Sequence, residues 1–200
     1  MTLTFSQILA MVGRTVQNPR EGASEVLSLG LPRDAIWIVV GLVVVLSIIL
    51  AQISSLMLGA RGGDPDDMLA IGPIAGLAIQ LGVLLGMGGA VHLVGRAMGG
   101  SGSFPEALLL IAWLQFIMVC VQVIQLLAIL VMPPLTGIIF VLGLALFLWL
   151  LTNFVAVLHG FRSLAQVFVM ILVSAFAIAF FLSLALTFLG VTIPIEQGAI

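Results

Sequence analysis

The stretch VHLVGRAMGGSGSFPEAL, residues 91–108, places one Arg and five consecutive small residues between two long apolar runs. Glycine-rich stretches either cradle a phosphate group or turn the chain around at a membrane surface. A phosphate loop needs Lys and Ser or Thr directly after its glycines, and a dinucleotide loop needs a preceding strand; neither pattern is present. The stretch therefore predicts a turn, in which Ser103 caps the next helix and Glu106 completes a capping box.

The composition of the whole chain indicates an integral membrane protein. Of the 200 residues, 62% are hydrophobic and 7% are charged, whereas a soluble domain carries roughly 25% charged residues. The basic residues are six arginines, and the formal net charge is -2. This balance excludes the basic surface that nucleic-acid binding requires.

Five apolar segments are long enough to cross a bilayer, because a span needs about 20 apolar residues. None of them contains Asp, Glu, Lys or Arg, and glycine, proline or charge marks each break. We predict an all-α polytopic protein, a five-helix membrane bundle preceded by short amphipathic interfacial helices. The predicted spans within a membrane domain of residues 35–190 are 35–58, 69–95, 107–132, 134–158 and 164–190.

The arginines predict the direction of the spans, because positive charge in short loops is retained in the cytoplasm. Only Arg61 lies on the side away from the N-terminus, and three aspartates accompany it. We therefore expect a cytoplasmic N-terminus and an extracytoplasmic tail at 191–200. The arginines that share the side of the N-terminus are Arg14, Arg20, Arg33, Arg96 and Arg162.

The cytoplasmic segment 1–34 predicts two short helices at the membrane surface. The first has apolar residues from Phe5 to Val16 on one side and polar residues opposite, which is typical of an interfacial helix. For the second, Asn18 is the predicted cap and Pro19 the first helical residue. Asp34 is the predicted cap of the first span.

The sequence contains no recognisable catalytic constellation, and we expect neither enzymatic activity nor a cofactor. It has no HExxH, no GxSxG and no aspartate inside a span. His92 and His159 each lie near the cytoplasmic end of a span and are the residues there that titrate near neutral pH. They meet as a pair, serve a proton path or act as ordinary interfacial histidines; a metal site is disfavoured because further ligands are missing.

The third span predicts a polar stripe inside the membrane. Gln115, Gln122 and Gln125 lie within roughly 80° of one another on a helix, and Gln80 and Asn153 are placed to join them from other spans. Polar groups in lipid need partners and therefore face the bundle interior. Two interpretations stay open: hydrogen bonds between helices, or a path or ligand pocket.

Small residues four apart predict close helix packing along the second span. The pairs are Gly72 with Gly76 and Gly82 with Gly86. We expect this span to be central, either in the bundle or in an oligomer.

The whole layout resembles the Yip domain family of Ypt/Rab-interacting membrane proteins, as a bacterial member. The resemblance covers roughly residues 5–190 and implies five spans with a cytoplasmic N-terminus. For eukaryotic relatives the family implies roles in vesicle traffic through small GTPases, with a long cytoplasmic region where this chain has about 34 residues. The stretches that carry the resemblance are NPREGASEVLSLGLP (18–32), HLVGRAMGGSGSFPEALLLIAW (92–113) and FLWLLTNFVAVLHGFRSLAQ (147–166).

These patterns favour a non-enzymatic scaffold or accessory protein that organises other membrane components. Its expected partners are membrane lipids and other membrane proteins or further copies of itself, with no nucleic acid. The alternative is a carrier or channel for a small molecule, ion or lipid along the glutamine stripe. The lysine-free composition indicates a G+C-rich bacterial genome and therefore the bacterial inner membrane.

Overall fold

The structure is a computed structural model that describes residues 4–59 and 72–188. Within these ranges the chain forms helices and no strand, which confirms the all-α prediction. The loop that carries Arg61, the start of the predicted second span and the C-terminal tail lie outside the described residues. The helices are α1 (Phe5–Gln17), α2 (Pro19–Ser28), α3 (Arg33–Gly59), α4 (Pro73–Ala97), α5 (Phe104–Val131), α6 (Leu135–His159) and α7 (Leu164–Phe188).

The five longer helices, α3 to α7, are the membrane spans. Each contains at least 22 residues of high mean hydropathy with few charges, which is enough to cross about 30 Å of hydrocarbon. The protein is therefore a multi-pass membrane protein, as the sequence predicts. The span ends differ from the predicted ones by a few residues, since α5 begins at Phe104 rather than at 107.

Local sequence signals account for the helix ends. The Ser103 hydroxyl accepts from the Glu106 N–H, and the Glu106 carboxylate accepts from the Ser103 N–H at 2.9 Å, so the predicted capping box is confirmed. The predicted cap at Asp34 is wrong in position: α3 begins at Arg33, because the Pro32 carbonyl already accepts from the Ile36 N–H. Asp34 instead occupies the first turn, where its charge favours the helix N-terminus.

The centre of the bundle is α5, and not the second span. It packs against α3, α4 and α6 and also contacts α2. Half of its most apolar window is buried, compared with 11% for α4. The burial is concentrated in the first part of α5 and the last part of α6, which lie at the same end of the bundle because the two helices are consecutive. We call the end that carries α1 and α2 the N-terminal side.

The helices α1 and α2 form a pair that packs on this N-terminal side. They cross where Thr15 of α1 lies against Gly22 of α2, and both residues are buried. The Thr15 hydroxyl donates to the Met11 carbonyl and accepts from the Trp113 indole at 3.3 Å. Trp113 is nine residues into α5, so this contact lies about 14 Å along that helix.

Only part of the apolar face of α1 is covered by the bundle. Met11 and Thr15 are buried, while Phe5 is 71% exposed and Leu9 is 45% exposed. One edge of the helix thus packs on protein, and the other presents apolar side chains to its surroundings. This division fits a helix that lies in the membrane interface beside the spans.

Candidate functional site

His159, the last residue of α6, lies in a closely packed socket at the N-terminal side. The residue is 4% exposed. Its Nε2 lies 3.0 Å from the Val91 carbonyl, and its Nδ1 lies 3.3 Å from the Gly102 N–H. A carbonyl only accepts and a peptide N–H only donates, so Nε2 carries the proton and Nδ1 is the acceptor. The neutral ring is therefore fully paired.

Three glycines make the room that this imidazole occupies. A Cβ added at Gly95 or at Gly100 would overlap the ring, and one added at Gly102 would lie 2.5 Å from Leu158 and 3.0 Å from the Cε1 atom of the ring. Gly95 belongs to the last turns of α4, and Gly100 and Gly102 belong to the turn between α4 and α5. We call these three glycines with His159 the histidine socket. The predicted turn thus also forms one wall of the site in which the His159 ring is buried.

Gly102 links the two histidines that the sequence singles out. While its N–H donates to His159, its carbonyl accepts from Nδ1 of His92 at 3.0 Å. The His92 ring also meets Phe104 edge-on, and His159 stacks on Phe161. The two imidazoles are therefore joined through the backbone of one residue, Gly102, which fixes the turn to α4 and α6.

The histidine socket has the chemistry of a structural contact. A protonated His159 would present an N–H at Nδ1 to the N–H of Gly102, so the paired ring is the neutral one. The nearest capping hydroxyl, on Ser103, is held by the Glu106 carboxylate at 2.6 Å. In the part of the chain that the structure describes, no three His, Cys, Asp or Glu side chains are grouped as metal ligands.

The predicted polar stripe is divided among different partners. The Gln115 amide donates to the Ser47 hydroxyl at 3.0 Å and joins α5 to α3. The Asn153 amide donates to the Trp149 carbonyl of its own helix at 2.8 Å. One stripe residue therefore bridges two spans, and another caps a carbonyl inside its helix.

The side chains of the remaining stripe residues make no hydrogen bond within residues 4–59 and 72–188. Gln80 and Gln125 are half-buried, and the Gln122 Oε1 atom is buried without a donor. Four grooves on the described surface have linings that include none of the stripe residues. A path along the stripe stays a prediction.

The predicted packing glycines of α4 face different environments. A Cβ at Gly76 would touch Ile48 at 3.4 Å, whereas a Cβ at Gly72, Gly82 or Gly86 would meet no heavy atom within 4 Å. Inside the chain, Gly88 of α4 faces α5, because a Cβ there would lie 3.5 Å from Leu108. The face that carries Gly82 and Gly86 is thus open.

Sequence reasoning did not identify several residues that join helices distant in the chain. Thr15, Trp113 and Ser47 each bond a side chain on a distant helix, and nothing in their immediate neighbourhood in the sequence marks them. The sequence predicts Gly100 and Gly102 as turn residues and Gly95 as the last residue of the second span, and none of them as a contact of His159. A buried partner 57 residues away leaves no local signal.

Comparison with known proteins now identifies the family. The family model described as the Yip1 domain matches residues 13–187. The chain belongs to the Yip1 domain family. The match runs from α1 to the last turn of α7, so all five spans and the histidine socket lie within the Yip1 domain. No curated protein and no solved structure gives a significant match to the chain.

Proposed function

We propose that this Yip1 domain protein is a non-enzymatic membrane scaffold or accessory subunit, which associates through the open face of α4 with another span. The partner is a second copy of the chain or another membrane protein. The Yip1 family is not known as an enzyme family, which is consistent with this proposal. The five apolar spans also imply that lipids surround the bundle.

The observation that carries the proposal is the open glycine face. Gly82 and Gly86 are exposed, one helical turn apart, and have free space where side chains would stand. Small residues at this spacing let the backbone of a neighbouring span approach closely. Among the described residues no other helix approaches Gly82 or Gly86, and 11% of the residues in the most apolar window of α4 are buried. A partner span would use this face.

Leucines at this face should weaken association. For the Gly82→Leu/Gly86→Leu double variant, we expect the dissociation constant to rise at least about tenfold, which corresponds to about 1.4 kcal/mol. The reason is that the added side chains prevent close backbone approach. The measurement is co-purification of two differently tagged copies, together with any stoichiometric partner, from native membranes in mild detergent.

The matched control is Gly41→Leu/Gly137→Leu. These glycines of α3 and α6 are also exposed and open, so the same volume is added to other faces. Association should survive in this control. A wild-type protein that purifies as a lone monomer without a partner would contradict the proposed function.

We infer further that the chain lies in a bacterial inner membrane with the N-terminal side in the cytoplasm. In this proposal residues 1–34 are a cytoplasmic segment, 35–190 form the membrane domain and 191–200 are periplasmic. The support is the excess of arginine on the N-terminal side, including Arg33, Arg96 and Arg162 at or next to the described span ends.

The direction of the spans is tested by a reporter fused after Ile200. An alkaline phosphatase fusion should be active, because this enzyme forms its disulfides only in an oxidising compartment. A fusion placed before α1 should be inactive and serves as the control. Activity of the N-terminal fusion alone would reverse the proposed direction.

A path along the glutamine stripe is not part of the proposal. Gln115 and Asn153 already have protein partners, and hydrogen bonds between spans contribute about 0.6 kcal/mol each on average. The contact of Gln115 with Ser47 supports a role of the stripe in holding spans together, whereas Asn153 bonds within its own helix.

A further inference from the structure

A cavity of about 350 Å³ opens on the N-terminal side, between the beginnings of α3 and α5. None of its lining residues belongs to the histidine socket or to the open face of α4. Its walls combine one cation, two aromatic side chains and apolar groups. The lining residues are Arg33, Ile36, Trp37, Phe104, Pro105 and Leu108.

The charge of this cavity comes from Arg33. The other lining side chains are uncharged. Within the described residues the one salt bridge joins Arg14 to Glu25, so the guanidinium of Arg33 has no ion-pair partner there. An unpaired guanidinium presents up to five N–H donors to an anionic group such as a phosphate.

The polarity of the walls changes with depth in the order that a phospholipid requires. Arg33 lies at the start of α3, and Trp37 lies about 6 Å further along the helix. On the facing helix, Phe104 is at the mouth and Leu108 is one turn deeper. Ile36 and Leu108 are buried at the floor, while Trp37 is 49% exposed. The cation at the start of α3 is thus followed, deeper along the helices, by aromatic and aliphatic side chains, as the headgroup of a lipid is followed by its acyl chains.

We propose that this cavity binds one anionic phospholipid, with the phosphate on Arg33 and the upper part of an acyl chain against Ile36, Trp37 and Leu108. A free anion would use the guanidinium and leave the apolar floor uncovered, whereas a lipid satisfies both. An acidic protein segment would have to displace the lipid that already surrounds these spans. The occupant of this cavity is therefore a lipid.

Trp37 allows the site to be observed directly. The full-length protein is reconstituted into phosphatidylcholine vesicles that contain a minor fraction of phosphatidylglycerol, with bromine on the acyl chains of one lipid at a time. At equal mole fraction, brominated phosphatidylglycerol should quench tryptophan fluorescence more strongly than brominated phosphatidylcholine. This excess quenching should be absent in Trp37→Phe, because Trp113 and Trp149 do not line the cavity.

Arg33→Gln should reduce the preference for phosphatidylglycerol about fivefold, the effect of one basic residue at an anionic surface. Arg33→Lys should keep most of the preference, and Arg162→Gln, an exposed arginine outside the cavity, should keep all of it. Far-ultraviolet circular dichroism checks that each variant is folded.

Three results would overturn the proposal. Equal quenching by the two brominated lipids would show that the cavity has no preference for an anionic headgroup. If Arg162→Gln lost as much of the preference for phosphatidylglycerol as Arg33→Gln, the preference would arise from the general surface charge and not from the cavity. Displacement of the lipid by inorganic phosphate, or by a soluble acidic peptide, would identify a free anion or a protein segment as the occupant.

Discussion

Gly95→Ala should destabilise the folded protein by about 3 kcal/mol, through overpacking and the loss of hydrogen bonds to His159. The added Cβ would overlap the imidazole ring at three of its atoms. The ring cannot move aside, because Val91 and Gly102 hold its two nitrogens and Gly100 closes the other face. The melting temperature in detergent should fall by about 6–12 °C.

A double-mutant cycle separates this clash from a general effect of alanine. His159→Ala removes the ring, so Gly95→Ala should cost at least about 1 kcal/mol less in that background. Gly86→Ala is the matched control in the same helix. Its Cβ meets no heavy atom within 4 Å, and the better helix propensity of alanine should leave stability unchanged or raise it by up to about 1 kcal/mol. If the effects of Gly95→Ala and His159→Ala on stability were additive, the two residues would not be coupled. The tight packing of His159 in the histidine socket would then be disproved.

Gly22→Ala should separate α1 from α2 at a cost of about 2 kcal/mol. The added Cβ would lie 2.7 Å from the Cα atom of Thr15, and a backbone atom cannot rotate out of the way as a side chain can. The two helices must then move apart, which also breaks the hydrogen bond from Trp113 to Thr15. Amide hydrogens of α1 should exchange about 30-fold faster, since every 1.4 kcal/mol is a factor of ten.

Gly13→Ala is the control for this experiment. Gly13 lies in α1, two residues before Thr15, but a Cβ there meets no heavy atom within 4 Å. Exchange in α1 should therefore stay at the wild-type rate or slow down. If Gly22→Ala behaved like this control, the tight crossing of α1 and α2 would be disproved. Exchange in α5 and α6 reports whether the rest of the bundle stays folded.

The candidate site shows where sequence reasoning reaches its limit. The turn at residues 99–103 was predictable, because glycines and a capping box act within a few residues. That Gly95, Gly100 and Gly102 surround His159 was not, since the ring comes from a helix end more than 50 residues away. A glycine that makes a turn and a glycine that makes room for a side chain look the same in one sequence.

Which span is central could not be predicted from the sequence for the same reason. The small residues of α4 predict close packing along that helix, whereas the bundle centres on α5, which packs against α2, α3, α4 and α6 and is buried mainly in its N-terminal half. Spacing of small residues says which backbone can be approached, but not which neighbour approaches it. The Gln115 contact with Ser47 likewise depends on how α3 and α5 are placed.

By itself, the sequence determined that the chain is helical, that five helices cross the membrane and that two shorter ones precede them, because hydropathy and capping act over stretches of at most about 20 residues. The tertiary structure alone decided that α5 is central, that His159 is held by glycines and that the face with Gly82 and Gly86 is left open. Those outcomes depend on steric fit between helices far apart in the chain, and periodicity within one helix carries no information about its neighbours.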